Sequence, residues 1–172
     1  MKNRKSYKTD IGRIEIVSEN GSILFVSINE ELNIDEKNLP YEQTKEEVID
    51  NEDDVCNEAF RQIVEYIEGK RKKFDFPICF KGTDFQNLVW NELLKVPYGE
   101  TRTYKDIAIS IGNENASRAV GGAVNKNPLL IIIPCHRIIG SGGRLVGYRG
   151  GILLKERLLD IERGFRVVKS EW

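Results

Sequence analysis

The sequence predicts a mixed α/β (α+β) fold with two domains, a small N-terminal β-sheet with one helix over residues 1–80 and a helical domain over residues 81–172. Strand-like runs separated by a turn signal lie within residues 5–30. Helical periodicity dominates after residue 80. The charge balance also changes between the two parts, because residues 1–80 hold 12 Lys/Arg and 18 Asp/Glu whereas residues 81–172 hold 14 and 9. This shift in composition places a domain boundary near residue 80.

Length and composition limit the class of protein. Of the 172 residues, 40% are hydrophobic and 31% are charged, as in globular proteins. No apolar run is long enough to span a membrane and residues 1–7 lack the apolar segment of a secretion signal, so we expect a cytoplasmic protein with no membrane partner. Three cysteines without regular spacing argue against a disulfide framework and against a zinc site, so no metal is expected. The basic C-terminal half allows contact with a polyanion, although a solvated surface is the simpler explanation of its charge alone.

The N-terminal domain begins with a predicted β-hairpin. Residues 11–17 and 23–28 are its strands, and residues 19–22 are the turn between them. Residues 30–54 are strongly acidic and predict a surface loop. Solvation explains that charge more simply than attraction of a basic partner.

One helix is predicted after this loop. Asp54 is its predicted N-cap, and the helix runs to Glu68 and ends at Gly69. Residues 74–80 then predict either a strand or an extended linker that leads into the second domain.

Three short helices follow in the C-terminal domain. Thr83 or Asp84 is the predicted cap of the first, and a Pro-Tyr-Gly turn breaks the pattern after it. Thr103 starts the second helix, which ends at Gly112, and residues 115–124 form the third. Two short helices joined by a glycine-containing turn predict a helix-turn-helix. Small residues in its second helix would let it approach a duplex closely, although packing against a neighbouring helix explains them equally well.

An apolar run over residues 129–133 leads into Pro134, Cys135 and His136. Five consecutive apolar residues predict a strand buried on both sides, which the proline ends or bends. His136 is the only histidine in the chain, so any mechanism that needs an imidazole must use it. Cys135 is interpreted either as a nucleophile held in a pocket or as a small core residue, and this stretch alone does not decide between them.

The chain closes with a glycine-rich loop over residues 140–151 and an amphipathic helix over residues 152–162. Six glycines in the loop allow its backbone to lie against a flat ligand or to bend sharply. Glu162 falls on the last turn of the helix, where the dipole disfavours an acid, so another reason for its position is expected. The helix is predicted to turn four apolar side chains inward, Leu153, Leu154, Leu158 and Ile161.

Together these segments closely resemble the methylated-DNA–protein-cysteine methyltransferases, the family that removes alkyl groups from O6 of guanine in DNA. The likeness covers residues 81–163 almost continuously and is weaker over residues 1–80. The shared motifs keep one order and spacing along the chain, which leaves little room for chance agreement. They are Gly82-Thr83-Asp84-Phe85-Gln86, Val89-Trp90, Val96-Pro97-Tyr98-Gly99-Glu100-Thr101, Tyr104, Ser117-Arg118-Ala119-Val120-Gly121-Gly122-Ala123, Asn127-Pro128, Ile133-Pro134-Cys135-His136-Arg137-Ile138-Ile139, Gly147-Tyr148, Gly150-Gly151 and Lys155-Glu156.

The resemblance implies a fold and a reaction. The N-terminal domain would be RNase H-like, and the C-terminal domain would be a winged helix-turn-helix-like DNA-binding domain. The reaction would be DNA repair by a stoichiometric, single-turnover transfer of the alkyl group from O6-methylguanine, with O4-methylthymine as a further candidate substrate, to a cysteine of the protein. The family extrudes the damaged base from double-stranded DNA. No cofactor is expected, and the protein would act as a monomer, associated with the nucleoid when bound to DNA.

The resemblance also assigns catalytic roles by position. Cys135 matches the alkyl acceptor, His136 matches the base that acts through a bridging water, and Glu162 matches the acid that orients the histidine. A base is needed because a free thiol with a pKa of about 8.5 is mostly protonated at neutral pH. Tyr104 matches the donor that neutralises the leaving guanine, and Asn127 matches the residue that braces the active-site turn.

Further positions match the family's contacts with DNA and with the flipped base. Arg118 matches the finger that fills the gap left by the base, Tyr148 matches the pocket wall, and the backbone from Val146 to Arg149 would read the guanine edge. Arg149 stands where many relatives have Ser or Ala. A side chain that points to solvent or phosphate is the simpler expectation for it than one that narrows the pocket. The other expected contacts with DNA or substrate are Ser117, Ala119, Gly121, Val124 and Lys155.

Two other functions fit parts of the sequence. A helix-turn-helix protein that senses lesions or regulates, without transfer activity, would use Cys135 only as a structural residue. A Cys–His hydrolase is the weaker rival, because its histidine usually lies far from the cysteine in sequence and this chain has no distant histidine.

Overall fold

The computed structural model describes residues 2–29, 48–49 and 53–165. Most of the acidic segment for which the sequence predicts a surface loop lies outside these residues. Within them the mixed α/β class is confirmed, with a small sheet on the N-terminal side and mainly helices on the C-terminal side. None of the helices in the described ranges is long and apolar enough to cross a lipid bilayer.

A four-stranded sheet forms the N-terminal part. Its strands are β1 (Lys2–Thr9), β2 (Gly12–Glu19), β3 (Ser22–Asn29) and β4 (Val48–Ile49). The first three strands are antiparallel neighbours, and a two-residue fourth strand pairs parallel with the first, which gives the order β3-β2-β1-β4. The predicted hairpin is confirmed as β2 and β3. Its turn is possible because Gly21 takes φ +75°, a left-handed conformation that costs glycine little.

The first helix, α1 (Asp54–Ile67), packs one face against the sheet. The predicted cap is wrong by one residue. The N-cap is Asp53, whose side chain accepts a hydrogen bond from the Val55 amide at 3.0 Å, and Asp54 is the first helical residue. Gly69 follows the helix with φ +73°, as expected of its stop signal. The buried side of α1 consists of Cys56, Ala59, Gln62, Ile63 and Tyr66.

The C-terminal part is built on α2 (Asp84–Leu93), α3 (Tyr104–Ser110) and α4 (Ser117–Asn125). Thr83 caps α2 and Thr103 caps α3, and each forms a reciprocal capping box with the side chain three residues later. Of the two candidate caps for α2, the threonine is therefore the cap. Helices α3 and α4, joined by a short 3-10 turn, pack on each other as the predicted helix-turn-helix.

The apolar run over residues 129–133 is buried as predicted, but it is not a strand. It forms a turn in which Ile131 has φ +71°. The Val26 amide of β3 donates to the Pro128 carbonyl at 2.9 Å, and the Val26 carbonyl accepts from the Leu130 amide at 3.1 Å. The run therefore meets the sheet through a single bridge. An unbroken apolar run indicates burial, but it does not distinguish a buried turn from a buried strand.

The chain after this turn passes through a 3-10 helix at Cys135–Arg137 and then pairs β6 (Ile138–Ile139) in parallel with β5 (Arg102–Thr103). The closing helix is α5 (Ile152–Glu162), as predicted. The prediction that Leu153 of this helix faces inward is wrong, because its side chain is 71% exposed. Successive residues of an α-helix are about 100° apart, so Leu153 is turned away from the face that Leu154, Leu158 and Ile161 bury.

Candidate active site

Cys135 lies on the 3-10 turn, fully buried, and Asn127 holds it there. The Nδ2 group of Asn127 donates to the Ile133 carbonyl at 2.8 Å and to Sγ of Cys135 at 3.0 Å. Its Oδ1 accepts from the Leu129 amide at 2.8 Å. One amide side chain thus ties both ends of the turn to the thiol, which is the arrangement expected of a residue that braces it.

His136 follows Cys135 and meets Glu162. Its Nε2 lies 2.7 Å from Oε1 of Glu162, and both side chains are buried. Since a carboxylate can only accept, this contact assigns the proton to Nε2 and leaves Nδ1 as the acceptor. Nδ1 is buried and has no hydrogen-bond partner among the described residues. Burial lowers the pKa of His136 despite the opposing effect of Glu162, which favours the neutral imidazole at pH 7.

Glu162 accepts hydrogen bonds from four residues. The Tyr66 hydroxyl lies 2.6 Å from Oε1, the Gly99 amide 3.0 Å from Oε2, and Arg137 reaches both oxygens at 2.8 and 2.9 Å, in addition to the contact with His136. Burial raises the pKa of this carboxyl, but the hydrogen bonds from His136 and Arg137 outweigh burial and hold the pKa well below its usual value. These partners account for an acid on the last turn of α5, where the helix dipole alone would disfavour it.

The sequence reasoning missed Arg137 and Tyr66 as members of this cluster. Arg137 lies in the same motif as Cys135 and His136, so its position next to them was a usable signal. Tyr66 lies three residues after Ile63 on the buried face of α1. A tyrosine on a buried face needs a partner for its hydroxyl, which is a weak signal that names no partner.

The thiol of Cys135 is protonated at rest. Burial raises its pKa to about 11, while the hydrogen bond from Asn127 and the positive charges of Lys155 and Arg149 act in the opposite direction. Only the thiolate is an effective nucleophile. Reaction at neutral pH therefore requires a group that removes the proton.

Tyr104 and Tyr148 lie close enough to Cys135 for its charge state to affect their hydroxyls. Burial raises the pKa of each hydroxyl, and the negative charge of a Cys135 thiolate raises each further. The Tyr104 hydroxyl donates to the Val146 carbonyl at 2.9 Å, so α3 and the glycine-rich loop meet at this point. Gly121 of α4 faces the Tyr104 ring, since a Cβ at Gly121 would lie 3.8 Å from it. The structure thus brings α3, α4 and the loop together around the thiol.

The outer face of α4 carries most of the predicted DNA contacts. Arg118 and Ala119 are exposed, and Ser117 and Gly121 are partly exposed. Val124 is 2% exposed and does not lie on this outer face. The valine lies on the inner face of α4 and packs in the core.

The simpler expectation for Arg149 is wrong. Arg149 does not point to solvent, because its Nη1 donates to the Asn127 carbonyl and its guanidinium lies 4.9 Å from the centroid of the Phe25 ring. Lys155 is fully buried and donates to the carbonyl of Ile138 and, at 3.2 Å, to that of Val146. Both cations are satisfied by partners from distant segments, and both brace the backbone around Cys135.

Comparisons with known proteins match both halves of the chain to domains of the same family. The family model for the 6-O-methylguanine DNA methyltransferase ribonuclease-like domain matches residues 3–80, and that for the DNA binding domain matches residues 84–164. The methylated-DNA–protein-cysteine methyltransferase of Methanosarcina barkeri is 57% identical over 105 residues, which span 61% of this chain and 66% of that protein. The constitutive enzyme of Bacillus subtilis is 40% identical over 157 residues, covering 91% and 92%. Mycobacterium tuberculosis OGT, solved in complex with DNA, has a TM-score of 0.80 and 36% identity, covering 95% of this chain and 94% of that one.

The fold and the site together define a class of protein, a helix-turn-helix protein in which a buried cysteine is followed by a histidine that pairs with a glutamate. The family matches are more specific, because they cover both halves of the chain. The chain belongs to the 6-O-methylguanine DNA methyltransferase family, and its named relatives are methylated-DNA–protein-cysteine methyltransferases. The family indicated by the sequence motifs is thereby confirmed.

Proposed function

We propose that the protein repairs DNA by moving the alkyl group of O6-methylguanine onto Sγ of Cys135, once per protein molecule. The observation that carries this proposal is the arrangement around the thiol. Asn127 holds Sγ at 3.0 Å, and the adjacent His136 is neutral, oriented by Glu162, and has a buried Nδ1 with no partner among the described residues. A buried thiol and a buried base without a hydrogen-bond partner, carried by consecutive residues, are what thiolate chemistry in a closed pocket requires.

The proposed reaction balances within these groups. The thiol proton passes through a bridging water to Nδ1 of His136, and the thiolate attacks the alkyl carbon. The S–C bond forms as the O6–C bond breaks, and the electron pair of that bond stays on guanine. Tyr104 is the proposed hydrogen-bond donor that stabilises the negative charge on the leaving base. That base takes up one proton and His136 releases the one it gained, so the proton lost by the thiol balances the proton gained by guanine. Because the thioether product is not hydrolysed at neutral pH, Cys135 is consumed by the reaction.

The proposed substrate is a damaged base within double-stranded DNA. A base inside a duplex cannot reach a buried cysteine, so it must be flipped out of the stack. Arg118, exposed on α4, is the proposed side chain that enters the gap. One copy of the chain supplies every proposed group, so we propose that the protein acts as a monomer. Its three free cysteines suit a reducing compartment that also holds the DNA, which favours the cytoplasm and nucleoid.

Mass spectrometry after incubation with an O6-methylguanine oligonucleotide tests the transfer. We expect one added methyl group, located on Cys135, and no product beyond one equivalent. Cys135→Ala should abolish the reaction, whereas the matched control Cys79→Ala should not, because Cys79 is an exposed free cysteine outside the site. An unmodified protein that still binds the lesion would favour the rival function of a lesion sensor.

Arg118→Ala tests the finger role. The substitution should slow repair of the duplex at least tenfold more than reaction with the free base, because only the duplex has a gap to fill. Arg61→Ala on α1 removes a positive charge elsewhere and should affect neither substrate. Equal losses on both substrates would refute the role of Arg118.

A further inference from the structure

Tyr66 of α1 brings a hydroxyl from the N-terminal part of the chain into the pair formed by His136 and Glu162. The side chain is 1% exposed, and its hydroxyl donates to Oε1 of Glu162 at 2.6 Å. The same oxygen lies 3.1 Å from Nε2 of His136. Because Nε2 and Oε1 are 2.7 Å apart, the three polar atoms form a closed triangle. The proposed transfer does not use this hydroxyl as a reactant, so its presence in a buried pair needs a separate explanation.

Packing around the Tyr66 ring fixes where the hydroxyl lies. The ring meets Tyr98 edge-on at a centroid distance of 5.9 Å and an angle of 86°, and it meets Phe74 at 5.6 Å and 42°. Burial raises the pKa of Tyr66, and the negative charge of Glu162 raises it further, so the hydroxyl keeps its proton and donates it to the carboxylate. The hydroxyl is therefore a fixed donor to Oε1.

This triangle has a consequence for the imidazole. Two oxygens, from Glu162 and Tyr66, face Nε2 of His136. An N–H at Nε2 is well satisfied there, whereas an unprotonated Nε2 would face the lone pairs of a carboxylate. The arrangement favours the tautomer that carries its proton on Nε2 and leaves Nδ1 unprotonated. In the proposed reaction, Nδ1 is the atom that must accept the proton of Cys135.

We infer that Tyr66 is a positioning residue for the transfer, because its hydroxyl holds the Glu162 carboxylate and the His136 ring in the arrangement that keeps the proton on Nε2 and leaves Nδ1 unprotonated. The inference rests on the proposed function and adds a residue to it. The N-terminal part of the chain, which holds none of the proposed reacting atoms, thereby helps to orient the base.

Nitrogen NMR of the imidazole provides the direct test, because the chain has one histidine and the signals report on His136 alone. In ¹⁵N-labelled wild-type protein at pH 7 we expect a protonated Nε2 and an unprotonated Nδ1. Tyr66→Phe keeps the ring and removes the hydroxyl. The two imidazole resonances should then move toward each other as the second tautomer gains population. The rate constant for transfer from an O6-methylguanine duplex should fall about tenfold, with DNA affinity unchanged.

Tyr98→Phe is the matched control, because Tyr98 packs on the same ring and its hydroxyl bonds the Ile161 carbonyl at 3.4 Å, outside the triangle. We expect this variant to keep the wild-type resonances and rate. Unchanged imidazole resonances in Tyr66→Phe, whatever its rate, would overturn the inference. A wild-type spectrum with the proton on Nδ1 would also overturn it and requires no variant. Failure of the wild-type protein to transfer a methyl group would instead overturn the proposed function, and the wild-type spectrum separates the two failures.

Discussion

The Glu162→Gln substitution removes one negative charge from a buried ion pair while keeping the shape of the side chain. Arg137 places Nη2 2.8 Å from Oε1 and Nε 2.9 Å from Oε2, and the Arg137 and Glu162 side chains are 9% and 1% exposed. Loss of one partner of a buried pair costs about 3–5 kcal/mol, because the other charge stays buried without compensation. Glutamine keeps one acceptor oxygen, so we expect the free energy of unfolding to fall by about 3 kcal/mol. A loss of about 3 kcal/mol lowers the unfolding midpoint of a chain of this size by about 6–12 °C.

The cost of this substitution should depend on pH in a defined direction. The pKa of Glu162 in the folded protein lies below its ordinary value of 4.5. The charged carboxylate therefore stabilises the fold fully above that pH, and its contribution is lost as the pH falls toward the folded-state pKa. The difference in unfolding free energy between the wild type and Glu162→Gln should be large at pH 7 and smaller at about pH 4.

Urea denaturation at the two pH values measures this difference, and Glu100→Gln is the matched control. Glu100 pairs with Arg102 at 2.7 Å, but these side chains are 52% and 40% exposed. Solvent screens such a pair, so the control should cost less than about 1 kcal/mol. The reasoning is refuted if Glu162→Gln costs no more than the control at pH 7, or if its cost grows on acidification.

Two further predictions concern the turn and the last helix. Asn127→Ala removes the donor to Cys135 and the hydrogen bonds across the turn, so the rate of methyl transfer should fall at least about tenfold. Rapid-quench experiments with duplex DNA measure this rate. A rate within about twofold of the wild type would contradict the bracing role. Leu158→Ala should lower the unfolding free energy by about 2–5 kcal/mol, because the side chain is buried. Leu153→Ala should change that energy by less than about 0.5 kcal/mol, because its side chain is exposed. Equal losses in urea denaturation would show that the buried face of α5 is assigned wrongly.

Features that depend on neighbours along the chain were accessible from the sequence. The hairpin turn at Gly21 and the caps Thr83 and Thr103 each involve groups within three or four positions of one another, so their residue types indicate them directly. The adjacency of Cys135 and His136 is local in the same sense. Even here, two neighbouring acids left the cap of α1 uncertain by one residue, because both can accept from the first free amides.

The resemblance to the family supplied what local patterns could not. By its resemblance to the family, Asn127 was named as the residue that braces the active-site turn and Glu162 as the acid that orients the histidine. The structure puts Asn127 against Sγ and Glu162 against Nε2. No periodicity or spacing in this chain would have paired residues that lie 8 and 26 positions apart.

By itself, the sequence determined which reactive groups exist and the local conformation of the segments that carry them. Tertiary structure alone decided which way several side chains point. Arg149 and Lys155 carry charges suited to solvent or phosphate, yet carbonyls and a ring from distant segments satisfy both of them inside the protein. Tyr66 reaches His136 and Glu162 across 70 and 96 positions. Contacts over such separations depend on how the sheet and the helices pack together, and that packing places these side chains around Cys135.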